Sequence, residues 1–314
     1  MTEHAVEVTG LTRTFGERTA LDGVDLVVPA GAIFGLLGPN GSGKSTLFRI
    51  LSTLLAPSGG NACVFGYDVV GAPARVRERI GVVFQSPSLD KKLTVGENLR
   101  CQGQLYGLSG PALAERIREL TGRFGLADRV GELVQTLSGG LARRIEIAKG
   151  MIHRPRLLLL DESGTGLDPG ARLDLWRQLE DVRENDGVTV LMTTHLMEEA
   201  DGCDQLVLLN EGRVVAAGKP EELKKEIPGE VVTIETAGAQ SLSSLIEERF
   251  GLAGRVFGRS VRLVAGSAHE LAGRIAEAFG DRIQSLTVGR PTLEDVFLEK
   301  TGRRLTSEDG SKYV

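Results

Sequence analysis

Gly38-Pro39-Asn40-Gly41-Ser42-Gly43-Lys44-Ser45-Thr46 decides the reading of this chain. It fits the pattern Gly, four residues, Gly-Lys-Ser/Thr. Glycines let backbone N–H groups curl around an anion at φ values that other residues resist. A helix starting near Lys44 adds the positive end of its dipole. Lys44 has the reach to meet β- and γ-phosphates, and the Ser45 hydroxyl suits Mg²⁺. Before the loop lies the apolar run Ala32 to Leu37, of buried-strand type, and after it Leu47 to Leu51 is apolar at helical spacing. Strand, loop, helix is the context that makes the pattern a phosphate cradle rather than a glycine-rich turn.

Working outward, 314 residues suffice for one large domain with a smaller one beside it, and 41% apolar content supplies a core. The net charge of −5 argues against a nucleic-acid partner. Cys63, Cys101 and Cys203 lack metal-ligand spacing and read as isolated thiols of a reducing compartment. The N-terminal residues have no signal-peptide pattern, and no apolar run approaches the ~20 residues that span a bilayer. Any membrane role is therefore expected to come through a partner.

Val6 to Phe15 and Thr19 to Val28 read as two strands, and 62–65, 80–84, 156–162 and 188–192 as further ones. From Thr94 to about Val134 the pattern turns helical, with Leu99, Leu105, Tyr106, Leu113, Ile117 and Leu120 as its apolar positions. Ala171 to Arg183 reads as a helix. Alternating strands and helices imply an α/β fold with a mostly parallel sheet and chemistry at the strand C-termini. Near Pro228 the organisation restarts. Strands at 231–234, 255–257, 261–264 and 283–288, with helices at 241–250 and 270–279, give the order βαββαβ of a ferredoxin-like unit. Thr292-Leu293-Glu294-Asp295 has capping-box spacing before a last helix. Thr306 to Val314 reads as a loose polar end.

Four further elements carry chemistry. Asp161-Glu162 ends a strand of leucines, where one acid can hold Mg²⁺ and the next can position a water. Leu137-Ser138-Gly139-Gly140 opens a helix and makes a second anion-attracting N-terminus. His195 follows Thr193-Thr194 at a strand tip, and Gln85 ends its strand likewise. Taken alone, His195 reads as structural and Gln85 as a surface residue, and core is the alternative for Phe15.

Together these residues resemble the nucleotide-binding domain of ATP-binding-cassette (ABC) proteins, over about residues 4–220. The resemblance implies a P-loop ABC fold with an antiparallel β subdomain and a helical subdomain at about 86–150. It implies an ATP-binding domain over 1–226 and an accessory α+β domain over 227–314. On the same basis Gly38 to Ser45 is the Walker A loop, with Thr46 following, and Gln85 meets Mg²⁺ and the membrane partner. Leu137 to Gly140 begins the signature motif, and Leu157 to Asp161 is Walker B. Glu162 polarises the attacking water, Asp168 lies in the D-loop, His195 is the switch histidine and Phe15 stacks on adenine. ATP and Mg²⁺ are the implied cofactors.

Two departures stand out. The signature's fifth residue is Leu141 rather than Gln, and Asp161-Glu162 is followed by Ser163-Gly164 where Pro and a small residue are usual. Loss of a proline and gain of a glycine imply a looser segment.

Thr193 to Asp201 and Pro291 to Leu298 resemble the daunorubicin-resistance type of ABC-2 exporter ATPase. That resemblance implies a homodimer sandwiching ATP and a separately encoded permease. It places the chain at the cytoplasmic face of a bacterial inner membrane, exporting a drug-like or other small molecule. The rivals are an importer ATPase whose C-terminal domain senses substrate, and an ABC ATPase of DNA repair or translation. The short interval between Walker A and signature, and the single cassette, count against the latter.

Overall fold

The computed structural model describes residues 3–303. The polar end read as loose lies outside them. The chain divides into two compact units, Met1–Val214 and Val215–Val314.

In the first unit β1 (His4–Phe15) and β2 (Arg18–Pro29) form a long antiparallel hairpin. β3 (Ile33–Leu37) runs into the glycine loop and α1 (Lys44–Leu51). β4 (Gly59–Val64), β5 (Tyr67–Asp68), α2 (Pro73–Arg77) and β6 (Ile80–Val83) follow. Next come α3 (Val95–Leu105), α4 (Gly110–Arg123) and α5 (Gly139–Gly150). The unit continues through β7 (Leu157–Asp161), α6 (Pro169–Asp186), β8 (Thr189–Thr194), α7 (Met197–Asp201) and β9 (Gln205–Asn210). The division between units falls inside β10 (Arg213–Gly218).

Two sheets result. The antiparallel one has the order β2-β1-β4-β5, and the other the order β10-β9-β3-β8-β7-β6. Within the latter β9, β3, β8, β7 and β6 pair in parallel. All five residues of β3 and of β7 are buried, as expected of parallel strands covered on both faces. One core, with Phe48, Leu36 and Leu159, joins α1 and both sheets. The other, with Leu99, Leu120, Ile147 and Leu158, joins the helical insert to the parallel sheet.

The insert differs from its sequence reading. Helix α4 ends at Arg123, and only short 3₁₀ turns at Ala127–Arg129 and Val134–Thr136 follow. Leu105, read as part of the apolar face, is 82% exposed at the last position of α3. Between His195 and Pro228, where the sequence reading places no element, stand α7, β9, β10 and α8 (Pro220–Lys225).

The second unit contains α8, β11 (Glu230–Glu235), α9 (Ala239–Phe250), β12 (Arg255–Phe257), β13 (Ser260–Ala265), α10 (Ala268–Phe279), β14 (Ser285–Gly289) and α11 (Leu293–Thr301). Its sheet runs β12-β13-β11-β14 and is antiparallel throughout. Val232, Ile234, Leu242 and Ile275 form a core of its own. Thr292 and Asp295 close a reciprocal capping box on α11. α8 packs on α11, and Lys300 pairs with Glu226 at 2.7 Å. The compact unit thus begins earlier than residue 227.

Candidate nucleotide site

The glycine loop is shaped by crowding as much as by conformation. Gly43 caps α1 with φ 108°, and a Cβ there would lie 2.6 Å from the Ala20 carbonyl oxygen. A Cβ on Gly38 would lie 2.3 Å from the Leu209 carbonyl oxygen. Side chains at either position would push the loop off the sheet and misdirect its N–H groups. The loop opens on a cleft of about 260 Å³ whose walls include Phe15, Asn40, Lys44, Ser45, Thr46 and Glu162.

Lys44 is only 3% exposed, and its ammonium donates to the carbonyls of Gly38 (2.7 Å) and Pro39 (3.1 Å). Glu162 Oε1 lies 3.6 Å from it. Burial lowers the Lys44 pKa against the attraction of that carboxylate. Asp161 receives a hydrogen bond from Thr193 Oγ1 at 2.6 Å and stands 3.5 Å from Ser45 Oγ. Burial raises its pKa, partly offset by the Thr193 bond.

Glu162 adopts φ 46°, a conformation costly for a residue with a Cβ. It is held there because its N–H donates to the backbone oxygen (3.1 Å) and hydroxyl (3.0 Å) of Thr193. Gln85 Nε2 donates to Glu162 Oε2 at 2.9 Å, and His195 Nδ1 is 3.7 Å from Oε1. The strand order β3-β8-β7-β6 thus delivers Lys44, His195, Glu162 and Gln85, from four strand ends, to one place.

Phe15 is 46% exposed on the cleft wall, not in the core. The Arg13 guanidinium lies 4.6 Å from its ring centroid. Ser42 is buried in the loop. Thr193, Arg18 and Ala20 belong to the site although sequence reasoning passed them over. The pair Thr193-Thr194 at a strand tip before a histidine is a sequence signal for Thr193; Arg18 and Ala20 carry none.

Ser138, Gly139, Gly140 and Asp168 do not line the cleft. Ser138 caps α5 by accepting from the Leu141 N–H, and Asp168 caps α6 by accepting from the Ala171 N–H. The two helix starts touch, since a Cβ on Gly140 would lie 3.2 Å from Ala171 Cβ. Leu141 packs half-buried on the core, which explains an apolar residue at that position. Gly164 is not in the left-handed region. It leaves room for the Glu199 carboxyl.

A glycine loop at a strand end, a strained glutamate lining the same cleft and a histidine 3.7 Å from that glutamate define a P-loop ATPase. Residues 21–165 match the model of the ABC transporter family. The daunorubicin/doxorubicin resistance ATP-binding protein of Streptomyces peucetius is 41% identical, the match covering 95% of this chain and 92% of that one. Nod factor export ATP-binding protein I of Rhizobium sp. (strain N33) is 37% identical over 97% of this chain and 99% of its own. Among solved structures, an ATP-binding cassette in a dimeric post-hydrolysis state with ADP and Pi is 27% identical, with TM-score 0.62, over 68% of this chain and 98% of that one. A cbiO1 subunit from Clostridium perfringens, part of an ABC transporter complex, is 25% identical with TM-score 0.66 over 79% and 96%. The chain belongs to the ABC transporter family, as an ATP-hydrolysing subunit of the exporter kind that works with a membrane permease. Among the described residues no helix is long and apolar enough to cross a membrane.

Proposed function

We propose that two copies of this chain sandwich ATP, each molecule lying between the Walker A loop of one copy and Ser138-Gly139-Gly140 of the other. The observation that carries this reading is the position of the α5 N-terminus. It is a helix start suited to phosphate, yet it does not line its own chain's cleft. Lys44 then holds the phosphates, Phe15 the adenine, Glu162 the attacking water and His195 the γ-phosphate side. Asp168, beside the signature helix, faces the partner copy.

Ser45, Asp161 and the Gln85 amide form a hard-oxygen donor set that fits Mg²⁺. The raised pKa of buried Asp161 marks a carboxylate that a cation would favour. Mg²⁺ held there would supply positive charge against the phosphates.

Closure drives a separate permease of the ABC-2 type at the cytoplasmic face of the bacterial inner membrane, and the cargo is a drug-like or other small molecule. An apolar surface supports a protein contact on this unit. Leu54 and Leu105 are exposed, Tyr106 stacks on His153 at 3.7 Å, and Arg77 ties the patch to Thr53 at 3.1 Å. The ATP-binding role is read for 1–226 and the accessory role for 227–314, a functional boundary that lies beyond the division of the compact units at Val214/Val215.

Ser138→Arg and Lys44→Ala test the sandwich. ATP affinity is measured on dilute monomer and turnover at high protein concentration. Ser138→Arg should abolish turnover and leave monomer affinity intact, whereas Lys44→Ala should abolish both. Equal loss of monomer affinity in the two variants places Ser138 in its own chain's site and refutes the sandwich.

A further inference from the structure

Glu199 is a buried carboxylate with no part in the scheme above. It sits in α7, five residues beyond Thr194, and is 7% exposed. Its Oε2 accepts a hydrogen bond from Thr194 Oγ1. The same hydroxyl accepts from the Leu196 N–H at 2.9 Å. Thr194 therefore pins the turn 194–196, and His195 is the middle residue of that turn.

The other carboxylate oxygen faces the segment that follows Glu162. An ideal Cβ on Gly164 would lie 1.7 Å from Glu199 Oε1 and 2.9 Å from its Cδ. No side chain fits at 164 while Glu199 keeps this rotamer. The segment is short and tied to Glu162, since the Thr165 N–H donates to the Glu162 carbonyl at 3.2 Å. Glu199 thus stands as a wedge between two loops. One carries Glu162 at φ 46°, the other carries His195, and the two side chains are 3.7 Å apart. The groups acting electrostatically on the wedge are Arg172, His195 and Glu162.

We propose that Glu199 is a positioning residue for ATP hydrolysis, setting the spacing of Glu162 and His195 through Thr194, and that Gly164 is its obligate steric partner. The inference rests on the reading that Glu162 and His195 flank the reacting phosphate. That reading is tested separately by Glu162→Gln, which leaves the wedge in place.

The test is steady-state ATP hydrolysis by the full-length chain carrying Gly164→Ala, Glu199→Ala, Glu199→Gln, or Gly164→Ala with Glu199→Ala. Gly164→Ala forces the carboxylate away and frees the turn. Its kcat should fall about tenfold, the scale of losing an outer-shell partner. KM for ATP should stay within about threefold, because the phosphate loop is untouched. Glu199→Ala should show a similar loss. Glu199→Gln keeps the shape and an acceptor for Thr194, and should recover most of kcat. The double variant should be no slower than Glu199→Ala, because the collision has lost one of its members.

An unchanged kcat in Gly164→Ala overturns the proposal. So does a double variant whose loss is the product of the two single losses, or a Glu199→Gln enzyme as slow as Glu199→Ala. Should Gly164→Ala not fold, the comparison of Gln with Ala at 199 decides alone. Normal turnover in Glu162→Gln would instead sink the underlying reading.

Discussion

Replacing Phe15 by alanine separates a ring that holds adenine from one that holds the fold. The ring is 46% exposed, so roughly half of the ~1.5–3 kcal/mol available from burying a phenylalanine is at stake in stability. The Arg13 contact at 4.6 Å adds about 0.5 kcal/mol at an exposed site. Phe15→Ala should therefore cost about 1–2 kcal/mol of stability, leaving the first unit folded. A purine stacked on the free face contributes about 1–3 kcal/mol, which is about a 5- to 150-fold loss of ATP affinity. Stacking reads a π-face and not base edges, so GTP affinity should drop in parallel and the ATP:GTP ratio should hold. Phe15→Trp should keep both affinities. The assay is equilibrium titration with a fluorescent ATP analogue, competed by ATP and GTP, beside thermal unfolding of each variant. ATP affinity within twofold of wild type for a folded Phe15→Ala protein would show that adenine does not rest on this ring.

Further outcomes can be checked as directly. Glu162→Gln should bind ATP within about threefold of wild type but turn over about 10²- to 10⁴-fold more slowly, the range for loss of a positioned general base; a single-turnover measurement separates binding from chemistry. His153, stacked on Tyr106 and donating from Nε2 to the Ile80 carbonyl (3.0 Å), has its pKa lowered to about 4 by burial. The unfolded chain then binds the extra proton between pH 6.5 and 4, so stability is full above 6.5 and is lost as pH falls toward 4, by about 2 kcal/mol at pH 5. His153→Gln should flatten that slope in denaturant titrations at pH 7 and 5, and an unchanged slope would refute the assignment. A fragment over 219–303 should be more stable than one over 230–303 by about 2–4 kcal/mol, because only the longer keeps α8 on α11 with Leu223 buried. Equal melting temperatures would show that α8 is dispensable.

The chemistry of this chain was legible wherever it depends on neighbours in sequence. The glycine loop reads from its residues because backbone N–H groups of consecutive positions form the cradle, and Gly38 and Gly43 have no room for a side chain. The strand ending in Asp161-Glu162 reads from its leucines, because a strand buried on both faces must be apolar throughout. The βαββαβ order after Pro228 reads from alternating periodicities. Sequence also placed the capping box of α11, a contact between residues three apart.

What depends on partners far along the chain was decided by tertiary structure. Gln85 meets Glu162 across 77 residues, and Thr193 meets Asp161 across 32, only because parallel pairing sets their strand ends side by side. Phe15 carries no local mark of being core or surface, and its exposure follows from where the hairpin of β1 and β2 meets the loop. Ser138 does not line its own chain's cleft for the same topological reason. Gly164 shows the difference most plainly. In sequence it reads as slack, because glycine lacks a Cβ and permits many conformations. In the folded chain the same missing Cβ is a volume that the Glu199 carboxyl fills, and only the packing of α7 against that loop could determine it.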